Sequence, residues 1–268
     1  MQKTFCVVGT DARQHAAAEA LRRAGYEVAG AEGAGRAEYI LLPMPMDADQ
    51  ADLARILRAA QPGALALGGR VSKPVQAAAD AAGVELIDYF LRPELACLNA
   101  VPTAEGCLAL LMQLRERTIW ESSILVLGGG RVAHALCRRL VLLGAHVTVA
   151  ARSPNQRAQV RCMGCGAAGL GELPRLLPGF DTVVNTIPAP VLGRAELTHL
   201  PENALVIDLA SMPGGTDFAA AKALGLRTVH ALSLPARCAP RTAGELVAHT
   251  VLEILQERST PHDEATTR

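Results

Sequence analysis

The chain has 268 residues, a length that favours two modest α/β domains over one minimal domain. Its 26 basic residues balance its 26 acidic residues and no long basic run is present, so nucleic acid and anionic membranes are not expected partners. Half of the residues are hydrophobic but only 3% are aromatic, which favours a core of Ala, Val, Leu and Ile between helices and a parallel sheet.

The first hundred residues alternate short β-rich runs with helical patterns, which is typical of βαβ units. Strands are predicted at 5–8, 27–28, 39–42, 64–67 and 85–88, and helices at 14–24, 49–60 and 74–82. This order predicts one doubly wound parallel-sheet domain over residues 1–100, which we expect to bind the substrate. The first apolar run ends at Gly9 and is therefore a strand, not a signal peptide.

A long amphipathic helix is predicted at 104–117, and it joins the first domain to a second over residues 101–242. In the second domain, strands are predicted at 123–127, 146–150, 182–185, 205–208 and 227–230, with a helix at 131–143. A last helix at 243–256 is expected to return to the first domain and complete it. Residues 257–268 are polar and contain Pro261, which predicts a disordered tail.

A glycine motif follows the first strand of the second domain. Gly128-x-Gly130-x-x-Ala133 lies between a strand and a helix, as in dinucleotide-binding Rossmann domains. Gly128 permits the tight turn, and Gly130 lets the backbone approach a pyrophosphate. The start of the helix then offers the backbone amides of Arg131 and Val132 to the anion. We therefore predict two doubly wound α/β domains joined by a long helix, the second a Rossmann NAD(P)-binding domain.

The residues after the next strand distinguish NAD from NADP. They read Ala151-Arg152-Ser153 and offer no carboxylate to a ribose 2′-hydroxyl. Arg152 and Ser153 are suited to a 2′-phosphate instead, so we predict NADP as the cofactor. The alternative is that Arg152 is an ordinary surface residue.

Two later loops follow predicted strands and are expected to face the same cofactor, since ligands of such sheets bind outside the carboxyl ends of the strands. For Asp208, a structural role at the strand end is the alternative. The expected cofactor contacts from these loops are Asn185, Thr186, Ile187, Pro188, Asp208, Ala210 and Ser211.

Five segments form a combined pattern across both halves of the chain. They are 9–14, 99–106, 185–188, 208–218 and 239–244. In order and spacing, from about residue 5 to 256, they resemble the A subunit of dipicolinate synthase from spore-forming bacteria. Segment 208–218 is the most specific, and its D-L-A and G-G pieces are similar to the cofactor loop of alanine dehydrogenases and transhydrogenases.

The resemblance implies an enzyme of sporulation. Such an enzyme oxidises a dihydrodipicolinate to dipicolinate with NADP as hydride acceptor and works with a smaller, flavoprotein-like B subunit. At position 241 this chain has Arg where the family usually has Lys. A guanidinium retains anion binding but stays protonated, so Arg241 cannot transfer a proton.

The substrate implied by the resemblance carries two carboxylates, and arginine binds a carboxylate through two parallel hydrogen bonds. Arg13 follows the first strand, and Arg241 precedes the final helix, for which Thr242 is the expected N-cap. We expect both arginines to face a cleft between the domains. Surface solvation is the alternative for each of them.

Thr103 and Glu105 lie near the domain junction and are the other two candidate catalytic residues. Glu105 is a candidate acceptor for the proton that the substrate loses, and Thr103 a candidate hydrogen-bond partner of the substrate. The alternative is that this segment simply starts the linking helix, where Glu105 stabilises the helix dipole.

The seven cysteines are irregularly spaced, which is typical of reduced thiols and favours a cytoplasmic protein. No stretch contains the roughly 18 uninterrupted apolar residues of a membrane helix. Cys162-x-x-Cys165 lacks further ligands at zinc spacing, so no metal is expected.

Two other functions stay open at this point. One is a non-catalytic NADP-binding regulatory subunit, because a Rossmann motif alone does not require catalysis. The other is an NADPH-dependent dehydrogenase of another small carboxylate, of the shikimate or alanine dehydrogenase type. A shikimate-type site would use a Lys and Asp pair in the first domain, where Lys73 and Asp80 are present but their spacing does not compel such a site. A homo-oligomer is compatible with the sequence.

Overall fold

The computed structural model describes residues 3–44, 46 and 50–259. It divides into two compact units: residues 1–99 with 239–268 form unit 1, and residues 100–238 form unit 2. The strands are β1 (Thr4–Val7), β2 (Glu27–Ala29), β3 (Tyr39–Leu41), β4 (Leu65–Gly68), β5 (Glu85–Asp88), β6 (Ser123–Leu127), β7 (His146–Ala150), β8 (Gly166–Ala168), β9 (Thr182–Asn185), β10 (Leu205–Asp208) and β11 (Arg227–His230). The helices are α1 (Ala12–Arg23), α2 (Gln50–Arg58), α3 (Lys73–Ala82), α4 (Pro93–Leu114), α5 (Arg131–Leu142), α6 (Pro154–Cys162), α7 (Leu173–Leu176), α8 (Arg194–Leu197), α9 (Phe218–Ala223), α10 (Leu234–Cys238) and α11 (Pro240–Ser259).

Unit 1 contains a five-stranded parallel sheet in the order β2-β1-β3-β4-β5. Side chains alternate between its two faces, as the strand period requires. Phe5 and Val7 pack with residues of α1 and α11, whereas Cys6 and Val8 pack with residues of α2 and α3. The order reverses between β1 and β3, and doubly wound sheets bind ligands at that point, beyond the carboxyl ends of the strands.

Unit 2 contains a six-stranded parallel sheet in the order β11-β10-β9-β6-β7-β8. Counted from β6, this is the order 3-2-1-4-5-6 of dinucleotide-binding sheets, with the reversal between β6 and β9. Ile124 and Val126 face one buried layer, and Leu125 and Leu127 face the other. The predicted fold class, two doubly wound parallel-sheet α/β domains, is confirmed.

Helix α4 begins eleven residues before the predicted start at 104, because Pro93 begins it and Pro102 lies inside it. Its 22 residues are long and apolar enough to cross a membrane by length and composition alone, which was not expected from the sequence. Ala104, Cys107 and Leu111 of this helix are fully buried in the core of unit 2, as is typical of a core helix in a globular protein.

The C-terminal helix also exceeds its prediction. Helix α11 begins at Pro240, so Thr242 is within the first turn and is not the N-cap. It continues to Ser259, three residues into the segment predicted to be a disordered tail. Residues 260–268 of that tail lie outside the described residues, as does Asp49 at the predicted start of α2.

Candidate functional site

The turn after β6 has the geometry that a dinucleotide-binding sheet requires. Gly128 has φ +101°, a conformation that side chains rarely adopt. A Cβ at this position would overlap Thr186 and lie 3.0 Å from Ile187, both in the loop after β9. The amide of Gly128 donates to the Ala150 carbonyl at 2.9 Å, which ties this turn to the end of β7.

Gly130 is the N-cap of α5 and leaves the start of that helix open. Its backbone is extended, and no side chain caps the helix. A Cβ built on Gly130 would meet no heavy atom within 4 Å, whereas Ala133, one turn later, is fully buried against the sheet. Arg131 is exposed and Val132 half-buried at the open end. Free backbone amides beside open space form a cradle for a pyrophosphate.

The loop after β7 presents one exposed basic side chain and one hydroxyl. Arg152 is exposed, Ala151 is buried, and Ser153 is the N-cap of α6 but makes no side-chain cap hydrogen bond. Arg157 is a residue that the sequence reasoning missed. Its Nη1 donates to the carbonyls of Ala151 and Arg152 at 2.9 and 2.8 Å and so fixes this loop. The sequence does contain a sign of this role, because a second arginine lies one helical turn into α6.

The loops after β9 and β10 are joined by a buried hydrogen-bond network. Asn185 and Asp208 are both 0% exposed, and Asn185 Nδ2 donates to Asp208 Oδ1 at 2.9 Å. Asp208 Oδ1 also accepts from the Ala210 amide at 2.9 Å, and its Oδ2 accepts from the Gly215 amide at 2.8 Å. Asn185 closes its own loop, because its Oδ1 accepts from the Ile187 amide at 3.0 Å.

The Asn185 and Asp208 side chains are buried inside the protein, and the cofactor contacts expected of them stay a prediction. Both side chains use their hydrogen-bonding atoms within the protein, so their role is to shape the two loops, the alternative already considered for Asp208. Four other loop positions stay accessible: Pro188 and Ser211 are exposed, and Ile187 and Thr186 are half-buried. Ala210 is buried.

His230, at the end of β11, holds the second loop from its other side. Its Nε2 is 2.9 Å from the Ala210 carbonyl, and its ring stacks on Phe218 with the centroids 5.0 Å apart. No role was predicted for this histidine from the sequence. The two contacts join residues that are far apart in the sequence, so no short sequence pattern predicts them.

In unit 1, Arg13 lies at the point where the strand order reverses. Asp11 caps α1, and Arg13 Nη2 contacts Asp11 Oδ2 at 3.4 Å and donates to the Met44 carbonyl. Gln14 is buried and donates to the carbonyls of Val8 and Leu42 at 2.7 and 2.9 Å, joining the ends of β1 and β3. The Arg13 side chain is 15% exposed, so it faces the sheet edge and is not an ordinary surface arginine.

Tyr89 adjoins Arg13 in this region. It is almost fully buried. Burial raises the pKa of Tyr89, and the positive charge of Arg13 opposes that rise. Tyr89 therefore stays neutral near neutral pH, and its buried ring lies close to Arg13.

The remaining candidates have local partners. Arg241 is 74% exposed and contacts Glu245 at 3.4 Å, one turn further along α11. Thr103 and Glu105 lie in the interior of α4, so Glu105 is not at a helix start and does not stabilise the helix dipole as the alternative supposed. Glu105 instead forms an ion pair with Arg139 at 2.9 Å.

Other candidate sites in the described part of the chain lack the groups or the position that a metal, substrate or cofactor site requires. No group of three or more His, Cys, Asp and Glu side chains there is placed to hold a metal ion. Lys73 and Asp80 are seven positions apart on α3, and Asp80 accepts from Gln76, so they do not form the shikimate-type pair. A cavity of 660 Å³ in unit 2 is lined by Ser123 and Trp120 at the amino end of the sheet, opposite the glycine turn.

Comparison with known proteins finds similar sequences and similar structures. No family model matches. Over 173 residues the chain is 37% identical to the A subunit of dipicolinate synthase from Bacillus subtilis (strain 168), a match that covers 65% of this chain and 58% of that protein. The crystal structure of the A subunit from Bacillus halodurans has a TM-score of 0.87 at 27% identity, covering 97% of this chain and 98% of that one.

The chain is thus similar to the dipicolinate synthase A subunits, and its sequence match spans a little over half the length of the Bacillus subtilis protein. The crystal structure of the Bacillus subtilis protein agrees, with a TM-score of 0.82 and 28% identity over 96% of this chain and 97% of that one. A 126-residue stretch, 43% of this chain, is also 34% identical to shikimate dehydrogenase (NADP(+)) of Rhodopseudomonas palustris, 45% of which it covers. An L-alanine dehydrogenase structure shares the fold alone, with a TM-score of 0.70 at 11% identity. The proteins that this chain resembles are of the dehydrogenase type, and the chain shares their fold.

Proposed function

We propose that the protein is an NADP-dependent oxidoreductase that oxidises a dihydrodipicolinate to dipicolinate during sporulation. The observation that carries this proposal is the similarity to the A subunit of dipicolinate synthase over nearly the full length of both chains. In this role the protein acts in the cytoplasm with a flavoprotein-like B subunit.

The cofactor site proposed in unit 2 fits a nicotinamide dinucleotide. The cradle at Gly130 receives the pyrophosphate, and the amides of Arg131 and Val132 face it. The loops that Asn185 and Asp208 hold in shape flank the same sheet edge. When bound, the oxidised nicotinamide supplies a hydride acceptor.

The substrate chemistry needs little from the protein beyond binding and alignment. A dihydropyridine loses a hydride and a proton, and the aromatic ring that results provides the driving force. Arg13 binds one carboxylate through Nη1, which makes no hydrogen bond within the described residues. Arg241 stays the family-derived candidate for the other carboxylate. Alignment by such charge-assisted bonds is the main contribution to the rate.

The assignment of NADP leads to a prediction about two arginines. Replacing Arg152 by alanine removes a guanidinium from the 2′-phosphate, so the affinity for NADP should fall about 10- to 100-fold while that for NAD is unchanged. Arg157→Ala should also lower the ratio of the affinity for NADP to the affinity for NAD, because it releases the Arg152 loop. Calorimetric titration with both cofactors measures this ratio.

A matched control for these variants is Arg161→Ala, in the last turn of the same helix. It removes one positive charge without contacting the loop, so both affinities should stay at the wild-type values. Equal affinities of the wild type for NADP and NAD, or an effect of Arg161→Ala as large as that of Arg152→Ala, would overturn the assignment of NADP.

The proposed activity is tested by following the absorbance of the reduced nicotinamide. Freshly generated dihydrodipicolinate and NADP are mixed with the protein, alone and with a B subunit, and we expect NADPH to form. Shikimate and alanine serve as competing substrates and should give slower turnover. If NADPH forms with none of these compounds under either condition, the non-catalytic regulatory function replaces the enzymatic one.

A further inference from the structure

The turn between β4 and α3 in unit 1 is held rigid by one carboxylate. Asp88 ends β5, next to Gly68 in the sheet register. Its Oδ1 accepts from the amides of Arg70 and Phe90 at 3.0 and 2.9 Å, and its Oδ2 accepts from the Val71 amide at 2.9 Å. Two of these bonds fix the backbone of the turn at the carboxyl edge of the sheet, and the third fixes the segment after β5.

Arg70 occupies a position in this turn where the backbone alone would favour glycine. Its φ is +58°, in the left-handed region that non-glycine residues other than Asn and Asp rarely adopt. The guanidinium carbon is 5.3 Å from the centroid of the Phe90 ring. Within the described residues it has no ion pair, so its charge is not balanced there. The backbone does not favour an arginine here, and a use for its side chain is the physical explanation that we pursue.

Arg70 and Arg13 follow strands that end at the same edge of the sheet. Arg13 follows β1 and Arg70 follows β4, with β3 between them, so their backbones leave the sheet about 10 Å apart. Gly69, next to Arg70, packs closely against Met44 and Tyr89: a Cβ on it would lie 2.7 Å from Met44 Sδ and 2.8 Å from the Tyr89 ring. Met44 in turn accepts a hydrogen bond from Arg13 through its carbonyl. Arg13 and the Gly69–Arg70 turn therefore both lie against Met44.

We propose that Arg70 binds the second carboxylate of a planar pyridine-type dicarboxylate whose first carboxylate is bound by Arg13. This assignment rests on the substrate class in the proposed function. A pyridine-2,6-dicarboxylate carries its two carboxylates on opposite sides of the ring nitrogen, so each carboxylate can pair with a separate guanidinium group. Arg241 is less suited, because its guanidinium shares the Glu245 carboxylate with Arg23.

The test compares two ligands that differ by one carboxylate. Pyridine-2,6-dicarboxylate and pyridine-2-carboxylate are titrated into the full chain by calorimetry, with and without NADP. Arg70→Ala should weaken dicarboxylate binding about 10- to 100-fold and leave monocarboxylate binding unchanged, whereas Arg13→Ala should weaken both. Arg70→Gly should reproduce the binding loss of Arg70→Ala and fold at least as well, because glycine adopts this φ without strain.

Two further variants complete the test. Arg58→Ala, at the exposed end of α2, is the control for loss of a positive charge and should bind both ligands as the wild type does. Arg241→Ala tests the family-derived candidate for the second carboxylate against Arg70. The assignment is overturned if both Arg70 variants bind the dicarboxylate normally, if they weaken the two ligands equally, or if Arg241→Ala shows the selective loss instead.

The outcomes separate this inference from the proposed function. A wild type that binds neither pyridine compound refutes both the Arg70 site and the dicarboxylate substrate class. Selective loss in the Arg70 variants, together with no NADP reduction in the activity assay, supports the site and refutes only the proposed oxidation.

Discussion

Replacing Gly130 by alanine is expected to weaken binding of the nicotinamide cofactor by two orders of magnitude or more while leaving unit 2 folded. The added Cβ enters the open space beside the start of α5 and meets no protein atom within 4 Å. A pyrophosphate would then be kept from the backbone amides, and each charge-assisted bond lost costs about 1.5–3 kcal/mol. Because the backbone at Gly130 is extended, the free energy of unfolding should fall by less than about 1 kcal/mol.

Gly128→Ala is the matched comparison, and there both quantities should change. A side chain at φ +101° is strained and would overlap Thr186, so binding and stability should both decline. Cofactor titration gives the first quantity. Urea unfolding followed by fluorescence gives the second, since Trp120 is the single tryptophan of the chain and lies in unit 2. Wild-type affinity in Gly130→Ala would show that the pyrophosphate binds elsewhere.

Asp208→Ala is expected to destabilise unit 2 by at least about 3 kcal/mol. Three donors, Asn185 Nδ2 and the amides of Ala210 and Gly215, would lose their acceptor in a fully buried place. Each such loss costs about 1–3 kcal/mol, and the sum is a large share of the 5–15 kcal/mol that typically stabilises a domain. Turnover should fall as well, because both loops at the cofactor edge depend on this carboxylate.

Asp217→Ala provides the control at the far end of the same loop. Asp217 caps α9 and accepts from the Ala220 amide at 2.9 Å, but it is exposed. Its loss should cost about 1 kcal/mol, as for other N-caps. The two variants are compared by urea unfolding and by initial rate. Equal stability of Asp208→Ala and Asp217→Ala would contradict the role assigned to the buried network.

Several elements were predictable because their signals are local. The strands that end at Leu127, Ala150 and Asp208 are β-branched or leucine-rich runs, and the structure has them at the predicted residues. Strand β8 was missed because Gly166-Ala167-Ala168 has no β-branched or aromatic side chain, and only pairing with β7 makes it a strand. The start of α4 was placed too late, because Pro102 reads as a helix end and yet is accommodated inside a packed helix.

The sequence by itself determined the chemistry that depends on neighbouring residues: the glycine turn before α5, the basic loop after β7 without an acid, and the resemblance that extends over both halves. Only the tertiary structure decided which distant residues meet. Asn185 and Asp208 are 23 positions apart and Asp88 and Arg70 are 18 apart, yet each pair is joined by hydrogen bonds across neighbouring strands. Such contacts depend on strand order and register, which arise from burial of the whole sheet and have no signal in any short segment.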